Sequence, residues 1–315
     1  MLKQFVFPML CGAVFAFPAA AHAAAPCSMP PALQQRVCDD PDLRALDTML
    51  IAKERAVQAV TARPATWAAR AAEFRRWTAT ETDVDGKLIG KEALTERFRS
   101  RLEALDSELA TARGVRPATA ATAIGDTCLA GWLHMGCTVP ASGILRGAGG
   151  VRILWQLQSG ASEIDGVGMG VMLWDASAHG APKPIGWTFE GADMQPPRYN
   201  PELRLLWVPG RMRGTGDGNA DLLYQKQGNR WVEIETESWR EALDKRLPAG
   251  LGAWHGVDYD FGGLGADTDL WKPDDANCCA TGGRAHLGFK IEGSSLRLDT
   301  IEVQAGGPDK EWKTY

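Results

Sequence analysis

The spacing of apolar residues changes period partway along the chain, and that change restricts the fold to a helical unit joined to a strand-rich one. Between Pro31 and Arg113 the period is helical. Asp40 is a good N-cap, Pro41 suits the first helical position and Asp42 suits the positive end of the helix dipole. Leu43, Leu46, Leu50 and Val57 then recur on one face. Arg63-Pro64 breaks this helix, and Trp67, Phe74 and Trp77 mark a second one. The polar stretch from Thr80 to Gly86 reads as a turn. Leu94, Phe98, Leu102, Leu105 and Leu109 form a third amphipathic helix, stopped by Gly114 and Pro117. Three short helices with polar outer faces predict a small bundle or hairpin.

From Thr127 onward the pattern becomes short strands and glycine-rich turns. Strands are expected over Val151 to Leu157, Val167 to Trp174, Leu203 to Val208, Asp221 to Gln225 and Trp231 to Glu235. Gly228-Asn229 is a hairpin turn signal. A second hairpin is expected from Phe289-Lys290-Ile291 through Gly293-Ser294-Ser295 to Leu296–Val303, and one helix over Ser238 to Leu247. The expected class is α+β: a small N-terminal helical bundle followed by a larger, mainly antiparallel β domain. The boundaries fall at 24–115 for the helical unit, 116–126 for an Ala- and Thr-rich linker and 127–315 for the β unit.

Residues 1–23 read as a secretory signal. Lys3 precedes a mostly apolar run from Phe5 to Phe17, and Ala21-His22-Ala23 is a small-x-small cleavage site. The run is too short to span a bilayer, and no later run looks transmembrane. The expected location is therefore periplasmic or secreted. Six cysteines remain beyond the signal, and an even count in an exported chain favours disulfides over metal or redox chemistry. A Cys27–Cys38 bridge would pin the N-terminal arm. Cys278 and Cys279 are neighbours, and in an extended strand their side chains point to opposite faces. Each is expected to pair with one of Cys128 and Cys137, tying the start of the β unit to its end and stabilising it by roughly 2–4 kcal/mol per bridge; a vicinal redox switch or metal site is the competing expectation.

Charge divides along the same boundary. Ala24 to Arg116 carries 15 Lys and Arg against 14 Asp and Glu, while Pro117 to Tyr315 carries 18 against 25, a surplus of seven negative charges. An acidic β unit argues against nucleic acid, whose phosphates require a basic surface. It suits a basic protein partner, because opposite potentials steer association.

Few catalytic motifs are present. The sequence contains no Gly-x-Ser-x-Gly elbow, no phosphate loop and no His-Glu-x-x-His zinc helix. Gly166-Val167-Gly168-Met169-Gly170 leads into a strand-like run, so it reads as a flexible turn and not as a dinucleotide loop. His134, His179, His255 and His286 stand at wide spacings and read as structural. Asp217, Asn219 and Asp221 place oxygen donors at alternate positions, the opening of a candidate calcium loop. Leu222 and Gly228 stand where such a loop needs Gly and a bidentate Glu, which favours a tight turn. No cofactor is expected. Trp254, Asp258 and Asp260 form a candidate ligand surface in the run Trp254 to Gly262, with both aspartates on one face of a strand. The run resembles the acidic strand of family-18-type chitinases, but Gly262 falls where the catalytic Glu would stand.

Residues 27–112 resemble the lysozyme inhibitor LprI N-terminal domain family, whose members are exported, cysteine-pinned helical domains. The matching residues are Cys27, Val37-Cys38, Pro41, Leu43, Leu46-Asp47 and Leu50, then Leu94, Phe98, Arg101-Leu102 and Leu105. Trp67 and Arg70 match the family's central run, while its Gln and a later cysteine are absent, so a second disulfide in the bundle is missing. The resemblance implies a non-enzymatic envelope protein that occludes a basic, lysozyme-like partner. The competing expectations are a cell-wall glycan-binding module or hydrolase using Asp258 and Asp260, and a purely structural envelope protein.

Overall fold

The structure is a computed structural model. It describes residues 31–114, 125, 127–129, 135–162, 166–178, 180–212, 218–253, 256–276, 278–307 and 309–315. The class is α+β, with the helices N-terminal and the sheets C-terminal. Four helices form the first unit where three were expected: α1 (Pro31–Cys38), α2 (Pro41–Val60), α3 (Pro64–Thr80) and α4 (Lys91–Gly114). The Asp40 carboxylate accepts from the N–H groups of Asp42 (3.0 Å) and Leu43 (3.2 Å), as its N-cap position demands. Leu43, Leu50 and Val57 of α2 close over Leu94, Phe98 and Leu105 of α4, with Leu33 and Val37 of α1 and Trp67 of α3 completing the core.

The second unit is three sheets in layers. Strands β1 (Met135–Arg146), β2 (Arg152–Ser162), β3 (Gly166–Asp175) and β4 (Lys183–Gly191) form an antiparallel meander. A two-stranded ribbon joins β5 (Asp193–Met194) to β8 (Gly210–Arg211). The middle sheet runs β10–β9–β7–β6, using β6 (Arg198–Asn200), β7 (Leu205–Val208), β9 (Leu222–Gln227) and β10 (Arg230–Glu233). Helix α5 (Arg240–Arg246) leads to the third sheet, built from β11 (Gly252–Ala253), β12 (Asp258–Asp260), β13 (Gly265–Trp271), β14 (Gly283–Glu292), β15 (Ser295–Ala305) and β16 (Lys313–Thr314). Its order is β11–β13–β14–β15–β16, with β12 also on β13.

Side-chain alternation shows why the middle sheet lies in the middle. Leu206, Val208, Leu222 and Tyr224 pack with Ile153, Leu157, Val171 and Leu173 of the first sheet. Leu205 and Leu223 point the other way, into a core with Trp239, Phe261, Leu287, Phe289 and Ile301. A sheet buried on both faces reads as continuous apolar runs, which Leu205-Leu206-Trp207-Val208 and Leu222-Leu223-Tyr224 are.

The run Gly166–Gly170 is part of β3, paired with β2 along its length, and not the turn expected from sequence. Glycine is used there for close approach: a Cβ on Gly170 would lie 2.0 Å from the Phe189 ring. The same holds at Gly186 of β4, where a Cβ would lie 1.8 Å from the Tyr224 hydroxyl oxygen. Tyr224 is fully buried, so it has nowhere to move. Gly186→Ala is expected to cost about 1–3 kcal/mol by overpacking, measured by urea denaturation. An unchanged midpoint would show that the two sheets are not in this contact.

Candidate functional site

Helix α3 begins Arg63-Pro64-Ala65-Thr66 and has no side-chain cap of its own. The missing acceptor comes from β10. Glu233 accepts from the Ala65 N–H (2.8 Å) and the Thr66 hydroxyl (2.6 Å), with the Thr66 N–H at 3.4 Å. A carboxylate at a helix N-terminus satisfies orphan donors and meets the positive end of the dipole. Arg63 reaches Glu233 (3.6 Å) and Glu190 of β4 (2.7 Å), and Arg70 takes the other side of Glu190 at 2.8 Å. Burial pushes the Glu233 carboxyl up, against the pull of Arg63. Burial also pushes Glu190 up, but Arg70 and Arg63 together hold it well below the usual carboxylate range. The Glu190 side chain is 35% exposed, so solvent weakens its pairs more than those of Glu233 at 4%.

Beside this joint a cleft of about 790 Å³ opens between α3 and the β unit. One wall carries Arg63, Arg70, Glu73 and Arg76, and the other the turn from Glu235 to Arg240 with Asn219 and Asp221. The turn is tightly held. Glu235 accepts from the N–H groups of Glu237 (2.6 Å) and Ser238 (3.0 Å). The Thr236 carbonyl accepts from Trp239 Nε1 and the Tyr259 hydroxyl. Burial raises the Glu237 carboxyl against the pull of Arg240, although the side chain is 47% open to the cleft and water moderates the effect. Ser238 Oγ is enclosed, lines the cleft and has no hydrogen-bond partner among the described residues.

The candidate calcium residues separate into different roles. Asp217 lies outside the described residues. Asn219 clasps the Val257 backbone with both ends of its amide, its Oδ1 accepting (2.8 Å) and its Nδ2 donating (2.9 Å). That clasp fixes the amide, and Nδ2 also donates to Asp221 Oδ2 at 2.8 Å. Asp221 is thus met by a donor where a cation would need a second oxygen. Burial raises its carboxyl to about 6.

Trp254 of the candidate ligand surface lies outside the described residues. Asp258 and Asp260 do share the outer face of β12, on either side of the inward Tyr259. Each is engaged: Arg211 pairs with Asp258, and Asp260 accepts from the Gly262 N–H at 3.0 Å. Asp258 stands directly across from Asp267, which stands across from His286, which stands across from Glu302. His286 contacts Asp267 and stacks on Trp312, ring centroids 4.0 Å apart. Asp269 lies in the next outward row opposite Arg284.

The cysteine pairing is a correction. Cys128 bonds Cys137, and Cys278 bonds its neighbour Cys279, so no bridge ties the start of the β unit to its end. The physical reason is local. Cys278 and Cys279 sit in a turn where Cys279 N–H donates to the Ala276 carbonyl, not in the extended strand that would separate their side chains. Cys38 is disulfide-bonded, and its expected partner Cys27 lies outside the described residues. Of the histidines, His134, His179 and His255 also lie outside them. Among the described residues no group of three or more His, Cys, Asp or Glu is placed to hold a metal ion, and no helix is long and apolar enough to cross a membrane. Comparison of the chain with family models, curated proteins and solved structures returned no match.

Asp221 supplies a pH-dependence with a definite sign. Its folded value of about 6 lies above its ordinary 3.8. The folded state holds the proton more tightly, so this contribution to stability is full below about pH 4 and lost as pH rises through about 6. Asp221→Asn is expected to remove that loss and to leave the variant about 1–3 kcal/mol more stable than the parent at pH 7. Denaturant melts at pH 4 and pH 7 check it, and parallel pH profiles for the two proteins would refute it.

Proposed function

We propose that the chain is an exported, non-enzymatic binding protein of the bacterial envelope that docks a basic, lysozyme-like partner on the acidic face of its third sheet. One observation carries the reading. Asp258 and Asp267 are directly opposed across β12 and β13. Like charges so placed oppose folding, and the rows around them add Asp260, Asp269 and Glu302 against Arg211, Arg284 and His286. The exposed ion pairs on this face return little stability. A face with this surplus of carboxylates gains from a cationic partner, which supplies further counter-charge and is steered in by it. Trp312, 38% exposed beside His286, offers an aromatic anchor at the edge of the field.

The helical resemblance to lysozyme-inhibitor domains and the secretory signal support the same reading. The commitment of Asp258 to Arg211 and of Asp260 to the Gly262 turn favours binding over glycoside hydrolysis, which needs a free acid and a free base or nucleophile.

Titration of the oxidised protein into a c-type lysozyme assay on bacterial cell walls tests the proposal, with calorimetry at low and high salt. Stoichiometric inhibition is expected, with affinity falling steeply as salt rises. Asp267→Asn should weaken binding roughly three- to tenfold at low salt, the loss of about 1 kcal/mol of charge attraction. Absence of binding at low salt, or binding indifferent to salt, would sink it.

A further inference from the structure

The loop between β13 and β14 is held by a set of hydrogen bonds besides its disulfide. Asp275 staples the two ends together. Its Oδ2 accepts from the N–H groups of Lys272 and Thr281, each at 2.8 Å, and its Oδ1 from the Thr281 hydroxyl at 2.7 Å. Trp271 Nε1 donates to the Ala276 carbonyl at 3.1 Å, and Gly282 N–H returns to the Leu270 carbonyl at 2.7 Å. Cys278 and Cys279 stand on this frame, both exposed. Cys128 and Cys137 are half-buried by contrast.

A disulfide stabilises a fold mainly by closing a loop of the unfolded chain, and the effect grows with loop length. Neighbouring residues close almost no loop, so the Cys278–Cys279 bond adds next to nothing on that account. We propose that Cys278–Cys279 is a site of reversible thiol–disulfide exchange, opened by an external dithiol of the oxidoreductase class while the fold and the Cys128–Cys137 bond stay intact. The thiolate of the donor attacks one exposed sulfur, the S–S bond breaks, and the neighbouring sulfur leaves as a thiolate. The donor's second thiol then attacks the mixed disulfide and releases the protein. Two electrons pass to the pair, the two thiol protons end on Cys278 and Cys279, and the donor leaves as a disulfide.

The site lies far from the cleft. The cleft reaches Ser294 and Ser295, beyond the other end of β14. The ten residues of that strand span roughly 33 Å at about 3.3 Å each. Opening the pair should leave the cleft undisturbed.

The test treats the oxidised, folded full chain with a small excess of dithiothreitol, traps free thiols with N-ethylmaleimide and maps the labelled peptides. Labelling of Cys278 and Cys279 is expected at least about tenfold faster than labelling of Cys128 and Cys137, with a melting temperature moved by no more than about 2 °C. Phenylarsine oxide, which bridges two adjacent thiols, should bind the reduced protein and not the oxidised one, and Cys278→Ser with Cys279→Ser should abolish capture. Simultaneous opening of Cys128–Cys137, unfolding on reduction, no labelling in the folded state or no arsenical capture would each overturn the proposal.

Discussion

The contact on which the arrangement of the two units depends is the Glu233 carboxylate at the open end of α3. A helix begun by Arg63-Pro64 leaves its first N–H groups without a local acceptor, and the β unit supplies one from 168 residues away. An N-terminal cap contributes about 1 kcal/mol. Its larger effect is positional. Glu233 is 4% exposed and shares Arg63 with Glu190, so α3 is fixed at once to the middle sheet and to the edge of the first. Buried pairs of this kind return little net energy when complete but cost about 3–5 kcal/mol when one partner is lost. The joint closes onto the cleft, which Arg63, Ala65 and Thr66 help to line.

The same logic of edges and middles runs through the sheets. The middle sheet is covered on both faces, by the meander and by the third sheet, and its central strands carry the continuous apolar runs Leu205–Val208 and Leu222–Tyr224. The first sheet covers its far face with Leu129, Trp187 and Phe189 over Leu154, Met172 and Trp174, while the third sheet keeps one face for solvent. On the third sheet that face is given to carboxylates that oppose one another, a local cost that binding of a cationic surface would offset. The exposed cysteine pair occupies the far end of the same sheet, where it adds chemistry to a loop already held by Asp275.

Part of this was legible in the sequence because it is local. The caps and stops of α2 and α4, the apolar runs of β7 and β9 and the Gly228-Asn229 turn that pairs β9 with β10 follow from neighbouring residues. Strands β1 and β4 were hidden by their prolines. Both are edge strands, where a missing N–H is tolerated, and the register shifts beside Pro140 and Pro184. Strand β13 was hidden by alternating aspartates, which face solvent and mark the acidic surface itself. The Cys278–Cys279 bond was misread because a strand was assumed where a turn exists. The role of Glu233 had one local sign, an Arg-Pro helix start with no capping side chain, but nothing in one chain says which distant carboxylate fills it.

The central claim is that Glu233 and the start of α3 are energetically coupled across the two units. A double-mutant cycle with Glu233→Gln and Thr66→Val, read by urea denaturation, measures that coupling directly. The structure predicts an interaction energy of about 1–3 kcal/mol, with each single variant already destabilised. Additive effects, with a coupling within about 0.3 kcal/mol of zero, would contradict the account and separate the helical unit from the sheet it is held against.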